Sequence, residues 1–260
     1  MSPQNAQEPF ETQQTTSGYR IYHFDNVPST NDMAKKIARR SEEERIVIVA
    51  DTQTRGRGRL GRQWISPKGG LWLSIIVRPQ ICLKEALKLT FITSTTVART
   101  LQEMFGLRTE VKWPNDVLVN GRKICGILTE TSTKGNIVEF AVVGIGLNVN
   151  IDLETFPSNL RKTVTSLKCE LNYEVKRKAL MENLLEYFER RYKCLLDGKW
   201  DSLLQEWKNL STFLGKQVRV TSSDESYVGI ATDVDCDGAF IIKLQSGRFK
   251  KIVAGDVTVK

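Results

Sequence analysis

The stretch Arg55-Gly56-Arg57-Gly58-Arg59-Leu60-Gly61-Arg62, followed by Gln63 and Trp64, lies between Ile46-Val47-Ile48-Val49-Ala50 and Leu71-Trp72-Leu73-Ser74-Ile75-Ile76-Val77. The flanking runs are short, apolar and rich in β-branched residues, and they read as buried strands. Four arginines and three glycines therefore sit in a loop pinned at both ends by core. Glycine lets the backbone approach a ligand closely, and guanidinium groups grip carboxylate or phosphate with a planar fork. Gln53 and Trp64 add an amide and an aromatic face. The combination suits a small ligand with an anionic end and a neutral polar end. Arg/Gly runs in disordered tails also bind phosphate, without sequence preference; such tails repeat and lack apolar flanks, whereas this run occurs once.

A second constellation is Lys112-Trp113-Pro114-Asn115-Asp116, continued by Val117-Leu118-Val119, Asn120-Gly121 and Arg122-Lys123-Ile124-Cys125-Gly126-Ile127-Leu128. Asn-Gly between two β-rich runs is a strong hairpin signal, because both turn positions take positive φ. A two-residue loop pairs Val119 with Arg122 and Leu118 with Lys123. If the ladder continues, alternation places Asp116, Leu118, Lys123 and Cys125 on one face. Lys123 then lies diagonally from Asp116, within reach of it or of a shared ligand.

The remaining pattern is mixed α/β. Tyr19–Phe24 reads as an opening strand. Ser29 or Thr30 is placed to cap a helix whose Met33, Ala34, Ile37 and Ala38 share a face. The spacing 86, 89, 93, 97, 101, 105 predicts a long amphipathic helix from Leu83 to Phe105, stopped by Gly106. A strand is expected over Ile137–Ile145, a polar loop to about 172, and helices near 174–196 and 200–210, with Tyr187, Phe188 and Tyr192 packed in the core. After Leu214 the texture changes to short strands at 217–220, 226–230, 239–242 and 249–253, punctuated by Asp237-Gly238 and Ser246-Gly247. This reads as a small β-barrel of SH3-like size that docks on the larger unit.

The 260 residues accommodate one large and one small domain. Five scattered cysteines show no metal-ligand spacing and read as reduced thiols of a cytoplasmic protein. The single histidine, His23, reads as structural. No apolar run reaches membrane-spanning length, so no membrane partner is expected. The net charge of +8 permits weak attraction to nucleic acid. Residues 1–17 are polar and glutamine-rich, and disorder is expected there.

The Gly-Arg-Gly-Arg-Leu-Gly-Arg run, Lys-Trp-Pro-Asn-Asp, and Lys123 with Gly126-Ile127-Leu128 together resemble the biotin–protein ligases. Ser29-Thr30-Asn31 and Gly144-Ile145-Gly146-Leu147-Asn148-Val149-Asn150 match further signatures of that family, in the family's order, over roughly residues 18–260. The resemblance implies an α+β fold: a mixed sheet packed against helices, class II synthetase-like, over 18–212, and an SH3-like C-terminal domain over 213–260. It is to the shorter members, without an N-terminal DNA-binding domain, so no specific nucleic acid is expected.

The implied activity is ATP-dependent: biotin is activated as biotinyl-5′-AMP and transferred to a lysine of a biotin carboxyl carrier protein, with Mg²⁺ assisting. A homodimer is left open. The family likeness assigns catalysis to Lys123, Arg57, Arg59 and Lys112. It assigns biotin binding to Ser29, Thr30, Asn31, Gln53, Gly56, Arg57, Gly58, Arg59, Lys123 and Gly126. ATP binding falls to Arg59, Trp64, Lys112, Asn115, Asp116 and Asn148, and metal binding to Asp116. Ligand contact and core packing are both open for Trp64 and Trp113. Leu60 stands where some members have an arginine and is given no charge role. The alternatives are a lipoate-type acyl ligase, which shares the fold, and a non-enzymatic nucleic-acid-binding protein.

Overall fold

Two strands flank the arginine loop as expected: β3 (Ile46–Gln53) and β4 (Leu71–Val77). Residues 11–15, 18–222 and 225–259 are described by this computed structural model. Every residue of β4 is buried, which explains why all but Ser74 are apolar: both faces of the strand are covered. The sheet built around them is completed by β1 (Glu11–Gln14), β2 (Arg20–Val27), β5 (Thr109–Lys112), β6 (Asp116–Val119), β7 (Arg122–Lys134) and β8 (Ile137–Leu147). Its order is β1-β2-β3-β4-β8-β7-β6-β5. Only β2 and β3 run parallel, so the sheet is mixed.

One face carries α1 (Thr30–Ala38), whose Ala34 and Ala38 pack on Ile46, Ile48, Ala50, Ile76 and Val142. The Ser29 side chain caps it by accepting from the Asp32 N–H. The opposite face carries α2 (Leu87–Phe105), α4 (Arg177–Leu196) and α5 (Trp200–Asn209), with Leu89, Val97, Leu101, Leu184 and Phe188 in the main core. Gly106 ends α2 in the left-handed region, φ 67°. Thr93 takes a core position on α2 by donating its hydroxyl back to the Leu89 carbonyl. Phe188 and Tyr192 are buried and stacked as expected, whereas Tyr187 is half-exposed and bonds Glu103.

The C-terminal part is a five-stranded antiparallel sheet of β9 (Gln217–Thr221), β10 (Ser226–Val234), β11 (Phe240–Leu244), β12 (Phe249–Ile252) and β13 (Asp256–Val259), ordered β12-β11-β10-β9-β13. β13 was not anticipated; it is only four residues long and exists through pairing with β9. The small sheet shares a core with the large one. Trp113 stacks on Phe240 at 5.3 Å and donates its indole N–H to the Gly238 carbonyl, and Trp200 donates to Cys236.

Three expectations are corrected. The disorder expected of residues 1–17 does not hold at Glu11–Gln14, which pairs antiparallel with Arg20–His23 because β2 offers an open sheet edge there. Residues 1–10, 16 and 17 lie outside the described set. The polar loop before residue 172 contains α3 (Leu167–Leu171), capped by Ser166, and buries Ile151 and Phe156 against Trp72. The third correction concerns the hairpin. Val119 pairs Arg122 and Leu118 pairs Lys123, as the Asn-Gly turn dictates, but a bulge follows, so Cys125 faces Val117 and Gly126 faces Asp116. Ile124 is the extra residue, and both Ile124 and Cys125 are buried. Cys125 therefore leaves the face it was expected to share with Lys123, and Gly126 takes that place.

Candidate active site

A cavity of about 470 Å³ opens over the ends of β3, β4, β7 and β8, beneath the arginine loop. It is lined by Ser29, Thr30, Asn31, Gln53, Arg57, Gly58, Arg59, Trp64, Lys112, Asn115, Asp116, Lys123, Gly126 and Asn148. Gly56 is the one expected site residue outside the lining. It is buried under the loop, where a Cβ would stand 2.4 Å from the Trp64 carbonyl oxygen and 2.6 Å from Ser66 Oγ. Its missing side chain allows the loop's close return.

One end of the cavity is neutral and tightly hydrogen-bonded. Gln53 Oε1 accepts from the Thr30 N–H (2.8 Å) and hydroxyl (3.1 Å), and Gln53 Nε2 donates to Ser66 Oγ (2.8 Å). Asn31 Nδ2 donates to the Leu128 carbonyl (3.2 Å) and to Glu130 (2.8 Å). Both Asn31 donors are thereby used, and the single Thr30 proton is committed to Gln53. What remains at Thr30 Oγ1 and Asn31 Oδ1 is acceptor capacity.

The middle is an aromatic platform. Trp64 lies on β7 and β8 because the residues beneath it are glycines: a Cβ at Gly146 would fall 2.4 Å from the indole nitrogen, and one at Gly126 3.0 Å from the ring. Trp64 both packs, edge-on to Trp72, and lines the cavity. Trp113 is 1 % exposed and only packs.

The other end is charged. Lys123 Nζ stands 2.7 Å from Asp116 Oδ1 and 5.1 Å from the Trp64 ring centroid. Arg59 donates to Asn115 Oδ1 (3.4 Å) and to the Gly255 carbonyl (3.3 Å), and Asp256 holds Arg62 and faces Arg59 at 4.0 Å. Burial lowers the Arg59 guanidinium pKa, opposed by the Asp256 and Asp116 carboxylates. Lys112 has no ion-pair partner among the described residues. Asn148 is buried; its Nδ2 donates to the Thr165 carbonyl, and its Oδ1 is left without a partner.

Arg57 is not poised over the cavity alone. Its Nη2 contacts Asp32 Oδ1 at 2.7 Å and Glu130 Oε2 at 2.9 Å, and Lys35 joins the same cluster. Burial would raise the Glu130 pKa, but hydrogen bonds from Lys35 and Asn31 and the charges of Lys35 and Arg57 outweigh it and hold the carboxyl below its usual range.

Sequence reasoning missed Glu130, Ser66, Ser74 and the segment Phe156, Leu160, Thr163 and Val164, which lines the cavity from the far side. That segment bridges to Lys123 through its backbone: the Lys123 N–H donates to Thr163 O (2.8 Å) and the Thr165 N–H donates to Lys123 O (2.9 Å). His23 is not in the lining. Cys125 is fully buried and its thiol is pushed up by burial, so it offers no nucleophile.

For Mg²⁺, the cavity lining supplies two carboxylates: Asp116, whose buried Oδ1 makes no hydrogen bond beyond its ion pair with Lys123, and Asp256, which is engaged by Arg62 and faces Arg59. No cluster of three metal-ligating side chains occurs among the described residues. A carboxylate shared with Lys123 and another held by arginines fit an ion carried largely by substrate phosphates, not a protein-only cage.

Comparison with known proteins agrees with this geometry. Residues 23–148 match the Biotin/lipoate A/B protein ligase family and residues 213–260 the Biotin protein ligase C terminal domain. The chain is 33 % identical to the Bifunctional ligase/repressor BirA of Bacillus subtilis over 92 % of this chain and 74 % of that one. It is 30 % identical to a Biotin–[acetyl-CoA-carboxylase] ligase of Mycobacterium tuberculosis over 88 % of this chain and 85 % of the relative. Biotin protein ligase from Aquifex aeolicus, solved in complex with biotin and ATP, superposes with a TM-score of 0.79 at 26 % identity over 92 % of this chain and 98 % of that one. With a shared fold, a shared C-terminal module and matched sequence across most of its length, the chain belongs to the biotin protein ligase family.

Proposed function

We propose that this chain joins biotin to ATP as biotinyl-5′-AMP and passes the biotinyl group to a lysine of the carrier domain of a biotin-dependent carboxylase. The observation that carries this is the layout of a single cavity: neutral acceptors at one end, an aromatic platform in the middle and cations at the other. A cyclic urea donates two N–H groups, which matches the acceptors left at Thr30 and Asn31 beside Ser29 and Gln53. Its fatty-acid tail lies along Trp64, and its carboxylate reaches Lys123 and the arginine loop. A site built of such paired groups rejects ligands that cannot make the same bonds.

In the first step the biotin carboxylate oxygen attacks the α-phosphorus, a P–O bond forms and pyrophosphate leaves. Two anions must meet, and Lys123, Arg59 and Lys112 offset that repulsion with charge already in place. Asp116 would help the nucleotide phosphates hold Mg²⁺, which would supply neutralisation of phosphate charge. Asn148 Oδ1 offers its unpaired acceptor to the exocyclic amine of adenine. In the second step the carrier lysine's neutral amine attacks the acyl carbon, the amide forms, AMP leaves and the amine proton passes to solvent. No covalent enzyme intermediate is required.

No helix among the described residues is long and apolar enough to cross a membrane. Action in the cytoplasm and on one particular carrier protein belongs to the same reading.

The test is ATP–pyrophosphate exchange with biotin or lipoate supplied. Exchange dependent on biotin is expected. Exchange dependent on lipoate alone would move the chain to the lipoate-type ligases, and exchange with neither would reject the reading.

A further inference from the structure

Ser74 is a hydroxyl inside an otherwise apolar strand, wholly buried at the centre of β4. A buried hydroxyl costs free energy unless it is bonded, and here it is bonded to two site residues. Its Oγ lies 2.6 Å from Asn31 Oδ1 and 2.8 Å from Thr30 Oγ1. An amide oxygen can only accept, so the proton between Ser74 and Asn31 comes from Ser74. The Asn31 amide cannot turn over without losing its bonds to Leu128 and Glu130 and facing nitrogen to the serine. Gly144 lies directly beneath, where a Cβ would stand 2.2 Å from Asn31 Oδ1, so the oxygen is fixed in place as well as in direction.

We infer that Ser74 is a positioning residue for ligand specificity: it gives its single buried proton to Asn31 Oδ1 and sets its oxygen against Thr30 Oγ1, so that the asparagine oxygen is held as an acceptor at the neutral end of the cavity and selects a ligand bearing N–H donors. The inference rests on the ligase reading above, in which that ligand is the urea ring of biotin. Ser74 itself does not line the cavity. Its effect is transmitted through Asn31 and Thr30, and it concerns the neutral end of the site, not the phosphate end.

The experiment uses the full chain and the variants Ser74→Ala, Asn31→Ala and their double, with biotin affinity by calorimetry and the KM for ATP from pyrophosphate exchange. Ser74→Ala is expected to weaken biotin about tenfold, the scale of one lost donor beside buried acceptors, while the KM for ATP stays within about twofold. In the Asn31→Ala background the added loss is expected to shrink to about threefold or less, because the shared bond is already gone. Ser74→Cys keeps the volume with a weak donor and is expected to fall between wild type and alanine, which holds the test if the alanine variant folds poorly. Equal losses for biotin and ATP, additive effects in the double variant, or biotin affinity within twofold of wild type in Ser74→Ala would each overturn the inference while leaving the ligase reading intact. Absence of biotin binding by the wild-type chain would overturn both.

Discussion

Arg57 and Glu130 form an ion pair at the edge of the cavity, Nη2 to Oε2 2.9 Å, although they are far apart in the chain, one on the arginine loop and the other on β7. Glu130 accepts from Asn31 as well, so one carboxylate ties the neutral end of the cavity to the cationic loop. Three of the four loop arginines meet protein carboxylates in this way, with Asp32 and Asp256 as the others. The like charges packed into residues 55–62 are therefore partly offset within the fold.

The Glu130 carboxyl is held below the usual range, so its contribution to stability is present above the unfolded carboxylate value of about 4.3 and is lost as pH falls through the folded value. Glu130→Gln removes that titration. The variant is expected to be less stable than wild type by about 1 kcal/mol at pH 7, and the gap is expected to narrow below about pH 4. Urea midpoints at the two pH values measure this; an equal gap at both would show that the charge does not contribute.

Lys123→Ala is expected to lower adenylate formation by about two orders of magnitude or more, the scale of losing one preorganised donor to developing charge. Its backbone bonds to Thr163 and Thr165 do not involve the side chain, so folding should survive. Biotin-dependent pyrophosphate exchange near wild-type rates in the folded variant would remove Lys123 from the chemistry.

Gly146→Ala places a methyl group 2.4 Å from the Trp64 indole nitrogen, with strand backbone behind it. Either the indole lifts from its platform or the strands separate. Overpacking of this kind costs about 1–3 kcal/mol. Thermal unfolding should register it as a drop of about 2–4 °C for each kcal/mol in a chain of this size. An unchanged transition would mean that Trp64 has room to move.

Asp256→Asn leaves Arg59 and Arg62 without their carboxylate. Faster amide exchange is expected across residues 58–62 while protection in β4 is unchanged, because the contact tethers the loop to the C-terminal sheet and not to the core. Identical exchange in the loop would show that the backbone of the loop holds itself.

Local chemistry in the chain determined a good deal. The apolar runs at 46–50 and 71–77 became central strands because burial on both faces demands a nearly continuous apolar sequence. Asn120-Gly121 set the hairpin register because its two positive φ angles, 51° and 73°, belong to one turn type. Gly106 stopped α2, and Ser29 opened α1. Fourteen of the fifteen expected site residues line one cavity, since most of them sit on the loop between β3 and β4 or near the start of α1, β6 and β7, whose positions those same local rules specify.

Tertiary structure decided the rest. The bulge at Ile124 turned Cys125 into the core and brought Gly126 under Trp64, an outcome of register between strands that neither strand encodes alone. At Gly56 only the return of the chain at Trp64 and Ser66 showed why a side chain has no room there. Residues 156–164 carried no site signal, yet they line the cavity, because their position depends on a backbone bridge to Lys123. The carboxylates that hold the arginines, and the serine that orients Asn31, act across the sheet through contacts of one hydrogen bond's length. A sequence fixes periodicity and turn geometry over a few residues; which polar groups meet across distant strands follows from the register and layering of the whole sheet.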